Sequence, residues 1–81
     1  MPEERTREVD REKFVRLANK RVSAALKAIQ LIGNLSNRSN YAYTENDVSK
    51  IFRALQKEVR ESRKKFESEQ KQHRNINFTL T

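Results

Sequence analysis

Five basic side chains in the second half of the chain recur at intervals that place them on one side of an α-helix. These residues, which we call the C-terminal rail, are Arg53, Lys57, Arg60, Lys64 and Lys71. Their steps of four, three, four and seven residues follow the helical period, so a helix would present them as a straight file. Lysine and arginine in such a file bind the phosphate groups of nucleic acids.

A second basic file lies in the first half of the chain, on the face opposite the apolar residues of a predicted helix. This N-terminal rail consists of Lys13, Arg16, Lys20 and Lys27. Arg38 lies between the two files, in the segment "SNRSNYAY". That segment has two interpretations. Its tyrosines and Arg38 suit stacking on bases and phosphate contact. Its Asn and Ser residues also suit a loop that hydrogen-bonds its own backbone and caps the end of a helical bundle, which we favour.

The charge of the chain is unevenly distributed. The formal net charge is +7, yet residues 13–44 carry six bases and no acid, between an acidic start and a mixed C-terminal half. A field of this sign attracts phosphate backbones or acidic protein surfaces. Solubility is the simpler explanation of the same charge.

Other kinds of site are not indicated. The chain has no cysteine and one histidine, His73, so we expect no metal site. It contains no nucleophile–base pair and no glycine-rich phosphate loop, so we expect no enzyme and no cofactor. No apolar run approaches the roughly 18 residues of a membrane span, and the acidic start is unlike a signal peptide. We therefore expect a cytoplasmic protein, with association to the nucleoid as one option.

The first predicted helix carries a wide apolar stripe that suits contact with two neighbouring helices. The apolar stripe comprises Phe14, Val15, Ala18, Val22, Ala25, Ile29 and Ile32. Gly33 follows its last residue and is expected to end the helix in the left-handed conformation.

The second predicted helix carries a narrower apolar seam with heptad spacing. The apolar seam comprises Val48, Phe52, Leu55, Val59 and Phe66. Thr44, followed three residues later by Asp47, predicts a capped N-terminus, with Asp in place of the usual Glu or Gln.

These elements predict an all-α protein, an antiparallel helical hairpin that dimerises into a four-helix bundle. We expect a charged, frayed arm over residues 1–12 and a hairpin over 13–73, with helices at 13–33 and 44–72 and a loop at 34–43. Residues 74–81 form a C-terminal tail. Its alternation of Ile76, Phe78 and Leu80 with polar residues leaves a donated strand as the alternative to a frayed end.

The function expected from these features is binding of DNA or RNA through phosphate contacts, by a homodimer that acts as a regulator or accessory factor. One alternative is a protein–protein adaptor or inhibitor that docks on an acidic partner. Another is a structural subunit of a larger assembly.

Overall fold

The computed structural model describes the backbone of residues 2–79 and the side chains of residues 7–70. The regular elements of this part are α1, Pro2–Gly33, a 3₁₀ turn, Asn34–Ser36, and α2, Glu45–Thr79. The prediction of an all-α protein with two helices is confirmed. The chain divides into two units, Met1–Ala42 and Tyr43–Thr81, each of which contains one of the helices.

Helix α1 begins at Pro2, well before the predicted start at residue 13. Residues 2–12, expected as a frayed arm, are therefore helical. Proline suits the first helical position because that position needs no N–H donor. Further along, the Arg11 guanidinium lies over the ring of Phe14, with its central carbon 5.8 Å from the ring centroid. This contact joins residues one helical turn apart, so it favours a helix that continues upstream of Phe14.

The prediction that Gly33 adopts the left-handed conformation is wrong. Its φ and ψ are −59° and −31°, which are right-handed helical values. The physical reason is that the chain tightens into the 3₁₀ turn before it leaves the helix, so the right-handed twist continues past Gly33. The change to extended backbone comes at Asn37, where φ is −70° and ψ is 99°.

The segment after α1 is organised by Asn37. Its carbonyl oxygen accepts hydrogen bonds from the backbone N–H groups of Asn40, at 3.1 Å, and Tyr41, at 3.0 Å. Its side-chain oxygen accepts a third bond from the N–H of Ser39, at 3.0 Å. The loop therefore satisfies backbone donors with its own Asn37, as the polar composition of this segment predicts.

The N-terminus of α2 is capped as predicted. The Thr44 hydroxyl oxygen accepts a hydrogen bond from the N–H of Asp47 at 3.1 Å, and an Asp47 carboxylate oxygen accepts one from the N–H of Thr44 at 2.9 Å. Both bonds satisfy donors that a helix start leaves without intrahelical partners. Glu45 and Asp47 also place negative charge in the first turn, where the helix dipole favours it.

Helix α2 continues to Thr79, beyond the predicted end at residue 72. Residues 74–79 are therefore helical, so both the expected frayed tail and the alternative of a donated strand are wrong for them. Leu80 and Thr81 lie outside the described residues, as does the side chain of His73.

Among residues 7–70 no side chain is fully buried. The least exposed are Leu17, Ala18, Ile32, Tyr43 and Leu55, which are half-buried. Large apolar side chains on each helix remain open to solvent, and the exposed fraction reaches 63% at Val59 and 60% at Phe66. Over the described residues, neither helix has an apolar stretch long enough to cross a lipid bilayer.

Candidate nucleic-acid interface

The C-terminal rail lies on a single continuous helix. Arg53, Lys57, Arg60 and Lys64 all belong to α2, and all four are exposed. At 1.5 Å per residue these four positions extend about 16 Å along the helix axis. Lys71 belongs to the same helix, but its side chain lies outside the described residues.

Lys50 extends the file by one position toward the N-terminus of α2. It precedes Arg53 by three residues, it is exposed, and the sequence prediction omitted it. With Lys50 included, the cations from residue 50 to residue 64 follow steps of three, four, three and four. Helical spacing identified Arg53, Lys57, Arg60 and Lys64 from the sequence. The same spacing could have identified Lys50.

Two exposed ion pairs occupy the C-terminal part of this surface. The Lys64 ammonium lies 3.8 Å from a Glu61 carboxylate oxygen, and Arg63 Nε lies 3.3 Å from a Glu67 carboxylate oxygen. Glu67 stands three residues after Lys64, where the spacing of the rail would require another cation. The positive field of the rail is therefore weakened at this end. Exposed pairs of this kind contribute about 0–1 kcal/mol each, so a phosphate group can compete with them.

The four cations toward the N-terminus of α2 differ from Arg63 and Lys64 in their ion pairing. Lys50, Arg53, Lys57 and Arg60, which we call the unpaired quartet, have no ion pair among the described residues. They are separated by three, four and three residues, so four positive charges extend about 15 Å along one face of the helix. No acidic side chain stands in the same file between them.

The apolar seam occupies the other side of α2. Its members follow the a and d positions of a heptad pattern, whereas the quartet follows the b and f positions. In a heptad these two sets point in opposite directions, so a partner that covered the seam would leave the quartet in contact with solvent.

The N-terminal rail lies on α1, where its four cations are all exposed. At 100° per residue Lys13, Arg16, Lys20 and Lys27 share one face, and the apolar stripe takes the opposite face. Arg38 lies in the turn at residues 38–40 and is also exposed. The two rails belong to different units of the chain.

No group of three or more histidine, aspartate or glutamate side chains is placed to hold a metal ion within the part of the chain that the structure describes. Comparisons of the chain with family models, with curated proteins and with solved structures find no match.

Proposed function

We propose that this protein binds nucleic acid through phosphate contacts, without enzymatic activity, as a regulator or accessory factor. The observation that supports this proposal is the unpaired quartet, four exposed cations in line on one helix face without ion pairs among the described residues. Cations that are not already neutralised release counterions from a nucleic acid when they bind it, and this release provides sequence-independent affinity.

The uneven charge of the chain supports the same proposal. The N-terminal rail and Arg38 lie in the stretch from residue 13 to residue 44, which contains no carboxylate. Cations there have few acidic neighbours along the chain, so their field is not cancelled locally. For localisation we propose a compartment that holds nucleic acid, the cytoplasm or the nucleoid.

For the architecture, we propose that α1 and α2 form an antiparallel hairpin and that two hairpins associate into a four-helix bundle. The apolar seam supports this proposal, because exposed Val59 and Phe66 side chains at heptad spacing are typical of a helix that packs on another helix. Among residues 7–70 no side chain is fully buried, so packing on further helices would supply the core that these residues lack. Both basic rails would then lie on the outside of the bundle.

The experiment that tests the function replaces the four residues of the unpaired quartet, Lys50, Arg53, Lys57 and Arg60, with glutamine. We expect loss of retention on immobilised nucleic acid with the helix content unchanged by circular dichroism, because these exposed side chains contribute charge rather than packing. The matched control exchanges each Arg for Lys and each Lys for Arg at the same four positions, which keeps the charge and should keep the binding. Retention by the glutamine variant would refute the proposal.

A second candidate function is an adaptor or inhibitor that docks on an acidic protein. The exposed apolar seam favours it, since such a seam flanked by basic residues fits a protein partner as well as a second copy of this chain. The two functions differ in their response to nuclease. A complex with a different, acidic protein that survives nuclease treatment and is lost on substitution of Val59 by Asp would favour the adaptor.

A further inference from the structure

The geometry of the unpaired quartet points to the class of nucleic acid that α2 takes. We infer that this face binds double-stranded nucleic acid in preference to single strands. The inference rests on the proposed function and specifies its ligand. It concerns Lys50, Arg53, Lys57 and Arg60 within the unit formed by residues 43–81.

The first reason is the straightness of the charged face. The four cations rise along a continuous helix in steps of about 4.5, 6 and 4.5 Å, so their spacing cannot adapt much to a flexible ligand. A duplex carries one phosphate charge per 1.7 Å or so of its axis, and its phosphates hold fixed positions. About nine phosphates therefore lie within the 15 Å that the quartet extends. A single strand has fewer charges per length and must lose conformational freedom to align with a rigid file.

The second reason is the position of the aromatic rings. Proteins that bind single strands combine a basic groove with aromatic side chains on which bases stack. In the described part of α2 the aromatic residues are Phe52 and Phe66, and both lie in the apolar seam. The face that carries the quartet has no ring beside the cations. It therefore offers charge to a phosphate backbone and no stacking surface to an unpaired base.

The test measures the affinity of the full-length protein for labelled 20-base-pair DNA and RNA duplexes and for 20-nucleotide single strands by fluorescence anisotropy. The series runs from 50 to 200 mM salt. We expect both duplexes to bind about tenfold more tightly than the single strands, since only the duplexes present a fixed, dense line of phosphates. Binding of the DNA duplex alone or the RNA duplex alone would support the inference and identify the duplex form that fits the quartet.

Salt dependence identifies the surface responsible. Each cation that contacts a DNA duplex contributes about −0.9 to the slope of log K against log salt, so the whole quartet contributes about −3.6. The change from 50 to 200 mM salt would then weaken binding about 150-fold through the quartet alone. The R53Q/K57Q variant should lose about 1.8 from the magnitude of the slope. The R63Q/K65Q variant removes the same charge from the same helix outside the quartet and should keep most of the slope.

The outcomes separate this inference from the proposed function. Single strands that bind as tightly as the duplexes would overturn the preference for duplexes and leave nucleic-acid binding intact. Equal losses of slope in the two variants would overturn the assignment to the quartet. Absence of binding to any of the four nucleic acids at 50 mM salt would overturn both.

Discussion

The first turn of α2 offers a prediction that follows directly from two hydrogen bonds. Thr44 and Asp47 exchange bonds of 2.9 and 3.1 Å, and each side chain satisfies one backbone N–H of the helix start. Replacing either side chain with alanine removes one hydrogen-bond acceptor. The backbone N–H group that it had bound can then hydrogen-bond only to water. Losses of capping residues of this kind cost about 0.5–2 kcal/mol, typically about 1 kcal/mol. We expect Thr44→Ala to destabilise the N-terminal end of α2 by about this amount.

The Asp47→Ala variant should cost somewhat more than Thr44→Ala. Asp47 supplies a hydrogen-bond acceptor and also a negative charge in the first turn, which contributes about 0.3–1 kcal/mol through the helix dipole. Asp47→Asn keeps an amide oxygen as acceptor and removes the charge, so it isolates the second contribution. The double alanine variant should lower the free energy of unfolding of this turn by less than the sum of the single variants. Removal of one hydrogen bond already frays the turn, so removal of the second has a smaller effect.

The measurement is backbone amide exchange followed by NMR at Asp47 and Val48, since the Val48 N–H donates to the Thr44 carbonyl at 3.2 Å. A loss of 1 kcal/mol should speed exchange about fivefold at these amides if local opening governs it. The matched control is Thr44→Ser, which keeps the hydroxyl acceptor and should remain near the parent value. Equal exchange rates in Thr44→Ala and Thr44→Ser would refute the role assigned to the hydroxyl.

Three further predictions test other parts of the chain. Gly33→Ala should increase helix stability by about 0.5–1 kcal/mol in urea unfolding, because Gly33 is right-handed and a Cβ there meets no atom within 4 Å. Arg11→Gln should raise amide exchange upstream of Phe14, because it removes a contact worth about 0.5–1 kcal/mol. Val59→Asp should abolish the proposed association of two chains and give the sedimentation coefficient of a single chain at micromolar concentration, because a carboxylate in the apolar seam opposes helix packing.

Each of these predictions has a result that contradicts it. Destabilisation by Gly33→Ala would indicate a positive φ at residue 33 in solution. Unchanged exchange in Arg11→Gln, with Arg11→Lys as the charge-preserving control, would show that the Arg11–Phe14 contact contributes nothing to α1. An unchanged sedimentation coefficient in Val59→Asp, with Ser68→Asp on the opposite face of α2 as control, would show that the proposed bundle does not form through the seam.

Much of the local structure follows from short-range patterns that the sequence displays directly. The helical period of apolar residues predicts both helices, and Thr44 with Asp47 predicts the start of α2 to within one residue. The positions of Arg53, Lys57 and Arg60 on one helix face follow from their spacing alone. These features depend on residues within one or two turns of each other, and helix geometry relates such residues in the same way in every protein.

The helix ends were predicted less well. The apolar pattern starts at Phe14, yet α1 starts at Pro2, because polar residues continue a helix without any apolar period to reveal it. A different reason hides the extension of α2 through residues 73–79, because Ile76 and Phe78 alternate with polar residues at the period of a strand rather than of a helix. Glycine permits the left-handed conformation but does not require it, and Gly33 remains right-handed. The sequence therefore could not identify the 3₁₀ turn that follows.

Residue types and their order were enough to determine the helical class of this protein, the cap of α2 and the alignment of its cations, because all three depend on neighbours along the chain. The three-dimensional structure decided which carboxylates neutralise which cations. Glu61 and Glu67 pair with Lys64 and Arg63, whereas the quartet from Lys50 to Arg60 has no ion pair among the described residues. The physical reason is that several pairings satisfy helical spacing equally well, and only the side-chain rotamers bring particular charged atoms within bonding distance.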